Sequence, residues 1–83
     1  MFLKSDLKNG MVVKMSDGRR RMVWENKLID EHGYIPMAYI NENLCNVDNR
    51  FGEYIEKVYL THDVCYFKDF FRDERLTCIW NRN

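Results

Sequence analysis

The residues best placed to do chemistry are Arg19, Arg20 and Arg21, three guanidinium groups in a row directly after Asp17 and Gly18. An Asp-Gly pair between two β-like runs predicts a hairpin, because both central residues of a type I′ turn need positive φ. That hairpin would set Lys14 across from the arginines. Side chains alternate along a strand, so Arg19 and Arg21 should share one face and Arg20 the other. Four basic groups at one hairpin tip can hold a phosphate, a nucleic acid or an acidic protein surface. The plainer role is a solvated hairpin end that discourages edge-to-edge association.

Two further sets of residues bear on binding. The chain has five Tyr, five Phe and two Trp, more than one small core needs. Some should lie at the surface, where Trp and Tyr favour interfaces; Trp24 and Tyr39 are the candidates. Tyr39 opens the stretch Tyr39-Ile40-Asn41-Glu42-Asn43-Leu44, which sets amides and a carboxylate between apolar residues. Asn41, Glu42 and Asn43 could rim a pocket and hydrogen-bond a ligand. In the plainer reading Asn41 and Asn43 cap a turn.

Other chemistries find little to stand on. His62 and Cys65 form an H-x-x-C, and His32, Cys45 or Cys78 could complete a four-ligand set, but nothing is spaced as in a zinc ribbon. Buried cysteines and a turn histidine are the simpler reading, so no metal or other cofactor is expected. A Cys65–His62 nucleophile pair would need both on one face, and residues three apart on a strand point to opposite faces. There is no glycine-rich phosphate loop, no G-x-S-x-G and no carboxylate pair in a recognisable setting. The expectation is a protein that binds rather than catalyses.

Composition is consistent with that. Eighty-three residues, 46% of them hydrophobic, predict a single domain over 1–83 with one core. Cores of this size are marginal, so a homo-oligomer is a reasonable expectation. No apolar run approaches the ~20 residues that span a bilayer, and the opening residues have no signal-peptide pattern. Three cysteines without a C-x-x-C suit reduced thiols. Together these predict a cytoplasmic protein with no membrane partner. Net charge is zero but unevenly spread. Residues 1–27 hold seven bases against three acids, and residues 28–63 hold seven acids against two bases. A neutral total argues against general nucleic-acid binding, which usually shows a basic domain.

The elements that must position these groups are mostly strands. Met11–Met15, Arg20–Glu25, Lys27–Asp30, Tyr34–Met37, Glu53–Leu60 and Leu76–Trp80 read as short β segments. Turns fall at Asn9-Gly10, Asp17-Gly18, Glu31-His32-Gly33 and the polar loop Asp48–Gly52. Lys27–Asp30 either continues the preceding strand or starts a new one. Pro36 suggests an edge position. A helical turn fits Ala38–Leu44. Phe67, Phe70 and Phe71 would form one face of a short helix over Tyr66–Glu74. The prediction is a mainly β fold, a strongly bent antiparallel sheet or partly open SH3-like barrel of about five strands with one short helix. Closure of that kind removes most exposed strand edge.

Several stretches together resemble a group of short, largely uncharacterised proteins carried by phages and prophages of Gram-positive bacteria. They are Asp6-Leu7-Lys8-Asn9-Gly10-Met11-Val12-Val13, Asp17-Gly18-Arg19-Arg20, Leu28-Ile29-Asp30-Glu31-His32-Gly33, Tyr39–Leu44, Ile55-Glu56-Lys57-Val58-Tyr59 and Leu76–Arg82. The resemblance spans most of the chain and carries no catalytic residues. It implies a mobile-element accessory protein in a host bacterial cytosol, where such proteins often inhibit host defence, anti-CRISPR proteins included. The partner would then be a host defence complex, such as a CRISPR effector. Alternatives are a sponge for a nucleotide-derived signal, a nucleic-acid-binding barrel and a phage assembly adaptor.

Overall fold

The computed structural model describes residues 2–47, 53–61 and 76–82. The polar loop at 48–52, the helix expected over Tyr66–Glu74 and the His62–Cys65 pair lie outside them. The strands are β1 (Val12–Met15), β2 (Arg20–Trp24), β3 (Lys27–Asp30), β4 (Gly33–Pro36), β5 (Ile55–Thr61) and β6 (Leu76–Asn81). They form one antiparallel sheet in the order β4-β3-β2-β1-β5-β6. The first four strands make a meander. The chain then crosses back, and β5 pairs with β1 on the side away from β2.

Six strands replace the five expected, and the sheet is open. The side of β5 that closure would have used is taken by β6, leaving β4 and β6 as the edges of the described sheet. Lys27–Asp30 is a strand of its own, and Pro36 ends the edge strand β4. No α-helix occurs among the described residues; two 3₁₀ turns stand instead, at Lys4–Asp6 and Met37–Tyr39. The helical turn expected over Ala38–Leu44 is therefore shifted toward the N-terminus and cut short. The chain reverses again at Asn41–Leu44, where the Leu44 N–H donates to the Asn41 carbonyl at 2.9 Å.

The turn chemistry differs from the expectation in an instructive way. The loop after β1 has four residues, Ser16, Asp17, Gly18 and Arg19. The Gly18 N–H donates to the Met15 carbonyl at 2.9 Å and the Met15 N–H to the Arg19 carbonyl at 2.8 Å. Only Gly18 has positive φ there, 90°, which is a tight turn followed by one left-handed residue rather than type I′. The type I′ geometry falls on Glu25 and Asn26, with φ of 48° and 62°. Asn9 holds that turn. Its Oδ1 accepts from the Glu25 N–H at 2.9 Å, and its Nδ2 donates to Glu25 Oε1 at 3.3 Å.

Period-two alternation sorts the side chains onto two faces. Val13, Met15, Val23, Leu28, Ile55 and Val58 point to one face, where Ile40 and Leu44 from the chain after β4 complete a buried cluster. Phe2, Leu7, Met11, Ile35, Met37 and Trp80 pack around it. Truncating a fully buried member such as Leu28 or Ile55 costs about 2–5 kcal/mol, a large share of the stability of so small a protein.

Candidate binding surface

The register of β1 and β2 pairs Lys14 with Arg20 and Val13 with Arg21. The arginine run is thus divided by the sheet itself. Arg20 lies on the face away from the core with Lys14, and its guanidinium sits 5.8 Å from the Tyr59 ring centroid. Arg21 points to the core face and is buried. Arg19 belongs to the loop, with its side chain 62% exposed and its Nε 3.9 Å from Asp17 Oδ2. The four basic groups do not act as one cluster.

The outer face is built from residues that alternate with the core ones. In register across the sheet they are Lys14, Arg20, Met22, Trp24, Lys27, Ile29, Tyr34, Lys57 and Tyr59, with Val12 between them. Lys14, Arg20, Lys27 and Lys57 are its basic groups, and Cys78 of β6 joins the face opposite Tyr59. Glu56 is the extra residue at the irregularity between β1 and β5, next to Lys57 and between the core residues Ile55 and Val58. Val12 and Met22 are buried in the middle of the face. Toward β4 the face is exposed: Trp24 is 45% and Tyr34 61% exposed, and the exposed Lys27 places its Nζ 5.3 Å from the Tyr34 ring centroid. Cation–π contacts of this kind contribute about 0.5–1 kcal/mol at exposed sites.

At the end of the core face lies a second polar group. The Arg21 side chain is 8% exposed, and its Nε is 3.3 Å from Oδ2 of Asp30, itself 12% exposed. Asp30 Oδ1 accepts from the His32 N–H at 2.8 Å. Arg21 Nη1 is buried without a hydrogen-bond partner among the described residues. Asp17 and Glu53 stand nearby because Ser16 is tied to Tyr54 by two hydrogen bonds, of 2.8 and 3.1 Å. Burial works against the Asp17 carboxylate. The Arg19 backbone N–H, a hydrogen bond from Glu53 and the charges of Arg21 and Arg19 outweigh it, holding its pKa below the ordinary value. Glu53 moves the other way: burial, then the hydrogen bond with Asp17 and its negative charge, raise its pKa. The two carboxyls are close enough that the charge of Asp17 opposes ionisation of Glu53.

The Tyr39–Leu44 stretch lies apart from the hairpin. Asn41 Oδ1 accepts from the backbone N–H groups of Asn43 at 2.8 Å and Cys45 at 3.1 Å. Its carboxamide oxygen is used within the turn rather than held out to a ligand. Leu44 is buried at φ 62°, a conformation that costs a non-glycine residue roughly 1–2 kcal/mol. Neighbouring bonds hold it there: the Ile55 N–H donates to the Leu44 carbonyl at 2.8 Å, and Arg82 Nη2 donates to the Asn43 carbonyl at 2.9 Å. Tyr39, Glu42 and Asn43 are exposed. Glu42 lines a cleft of about 340 Å³ with Lys4, Leu7, Asn9, Val23 and Met37 among others, and this cleft shares no residue with those beside Arg19.

Sequence reasoning missed Lys27, Tyr34, Lys57 and Tyr59 on the outer face, and Asp30, His32 and Glu53 around Arg21. One signal was available for Asp30. A two-residue turn at Glu25–Asn26 pairs Trp24 with Lys27 and Met22 with Ile29, and one step further along that register brings Arg21 opposite Asp30. Among the described residues no group of three His, Cys, Asp or Glu side chains could hold a metal ion, and no helix is long and apolar enough to cross a membrane. Comparison with known protein families, curated proteins and solved structures finds no match.

Proposed function

We propose that this protein is a non-enzymatic binding module whose outer sheet face docks on an acidic surface of a protein partner. The observation that carries the reading is the sorting of charge by the sheet. Lys14, Arg20, Lys27 and Lys57 share one face with Trp24, Tyr34 and Tyr59, and none of them has a carboxylate as its cross-strand partner. An exposed Trp–Lys–Tyr strip joins the residue types that dominate interface energetics to a field that selects negative partners. Net neutrality of the whole chain favours a local protein contact over wrapping by nucleic acid.

The resemblance to phage and prophage accessory proteins makes a host defence complex, such as a CRISPR effector, the first partner to examine. In that reading the module inhibits by occupying a surface and works in the host cytosol. The order of elements also supports an SH3-like description. A four-strand meander, a 3₁₀ turn and a fifth strand returning to β1 would make a half-open barrel, widened by β6.

The test is affinity capture from host lysate with the wild-type chain and with a Trp24→Ala/Tyr34→Ala variant. Both substituted side chains are exposed, so the fold should survive. A stoichiometric protein recovered by the wild type and lost with the variant is the expected result. Recovery of no stoichiometric protein, or equal recovery by both chains, would refute the reading.

A further inference from the structure

We propose that the cleft between the β1–β2 and β3–β4 loops binds the oxyanion head of a small ligand, gripped by Arg19, Arg21 and His32. The cleft, about 190 Å³, is lined by Arg19, Arg21, Asp30, His32 and Gly33 together with the start of β4. Arg19, Arg21 and Asp30 are the charged groups of its lining, with Asp17 and Glu53 close to the two arginines. Arg21 is more than nine-tenths buried, and its Nε is paired with Asp30. Its Nη1 is buried and has no acceptor among the described residues. An unsatisfied buried donor on a charged group carries a full desolvation penalty, and an oxyanion on that nitrogen removes it with a charge-assisted hydrogen bond.

The support around the cleft is already assembled. Asp30 uses one oxygen on Arg21 and the other on the His32 backbone N–H, which makes it a positioning residue for both. Arg19, largely exposed and only 3.9 Å-paired with Asp17, can turn toward the cleft with little loss. A neighbouring cleft of about 420 Å³ shares Arg19, Asp30 and His32 and adds Gly18, Arg20 and Glu31. Its volume falls within the usual range for small-molecule sites. The Glu31 and Asp30 carboxylates on its wall favour a ligand body that carries hydroxyl or amine donors over one with further negative charge. The ligand class is therefore a phosphate monoester or carboxylate on a polar, donor-bearing body. This site is independent of the outer-face contact proposed above.

The test is NMR titration of the intact chain, following the Arg21 Nε–H and the His32 amide. Sodium phosphate, sodium acetate and a nucleoside monophosphate are compared with sodium chloride at matched ionic strength. Saturable shifts at both positions with an oxyanion and none with chloride are expected. Phosphate against acetate tells the two sources of oxyanion apart, and saturation by either supports the site. Arg19→Ala, an exposed substitution that leaves the fold intact, should weaken binding about tenfold, as loss of one charge-assisted bond implies. Arg21→Lys, which keeps the charge but not the fork, should abolish saturation. If Arg21→Lys does not fold, the Arg19→Ala arm decides. No saturation by about 10 mM of any oxyanion, an equal response to chloride, or unchanged binding in Arg19→Ala would overturn the proposal and leave Nη1 to an ordered water.

Discussion

Removal of the Arg21 guanidinium is the sharpest test of how this fold is held together. In Arg21→Met the aliphatic stem is largely retained, so most packing survives while Asp30 is left in a nearly dry site without its counter-charge. Breaking a buried ion pair from one side costs about 3–5 kcal/mol. The whole chain has only about 4–12 kcal/mol to lose, at ~0.05–0.15 kcal/mol per residue. For a domain of this size 1 kcal/mol moves Tm by roughly 4–8 °C, so a fall of at least about 12 °C is expected. Asp30→Asn keeps an acceptor for the His32 N–H and should cost less, about 1–3 kcal/mol. The double variant removes both charges together, and its loss should fall short of the sum of the singles by at least about 1 kcal/mol. Urea and thermal melts of all four proteins give this cycle, with an osmolyte such as sucrose added where a single variant is too unstable to measure. Strict additivity, or an Arg21→Met variant within about 0.5 kcal/mol of wild type, would show that the pair is not what organises this end of the sheet.

Three further outcomes follow from the same geometry. Glu53→Gln should be more stable than wild type near neutral pH, by no more than the ~0.2–1 kcal/mol of solvent-exposed charge interactions. The sign follows from the raised pKa of Glu53: its favourable contribution is present below the ordinary glutamate value and lost as pH rises through the folded-state value. The advantage of glutamine should therefore shrink as the wild type is acidified, and urea midpoints near neutral pH and in the acid range will show whether it does. Asn41→Ala should cost about 1–2 kcal/mol in a thermal melt, since two backbone N–H groups lose their acceptor. Glu25→Gly should gain up to about 1 kcal/mol from relief of a left-handed φ, reduced by loss of the exposed Asn9 contact; a lower urea midpoint would mean that this contact outweighs the backbone strain.

Several features were legible from local pattern. Alternation placed Met11, Val13 and Met15 together and set Arg20 against Arg21, because side-chain direction on a strand depends only on a period of two. Gly10 and Gly18 have positive φ, at 91° and 90°, in turns that the Asn-Gly and Asp-Gly pairs announce. Pro36 pointed to an edge because it has no N–H to give a second neighbour. All these properties are decided within a few residues.

The features that tertiary structure alone decided involve residues far apart in the chain. Nothing within Ile55–Thr61 says that β5 will pair with β1 or that β6 will occupy its other side, since strand order depends on which long-range pairings bury the most apolar surface. The same contacts overrode local preference at Glu25 and Leu44, which take left-handed backbone because Asn9 and the bonds from Ile55 and Arg82 hold the neighbouring chain in place. The arginine run shows both halves of the matter. Its composition announced a basic group, and its alternation announced a split. Only the β2–β3 register, with Asp30 brought opposite, made Arg21 a buried charge beneath a cleft while Arg20 stayed beside Tyr59 on the outer face.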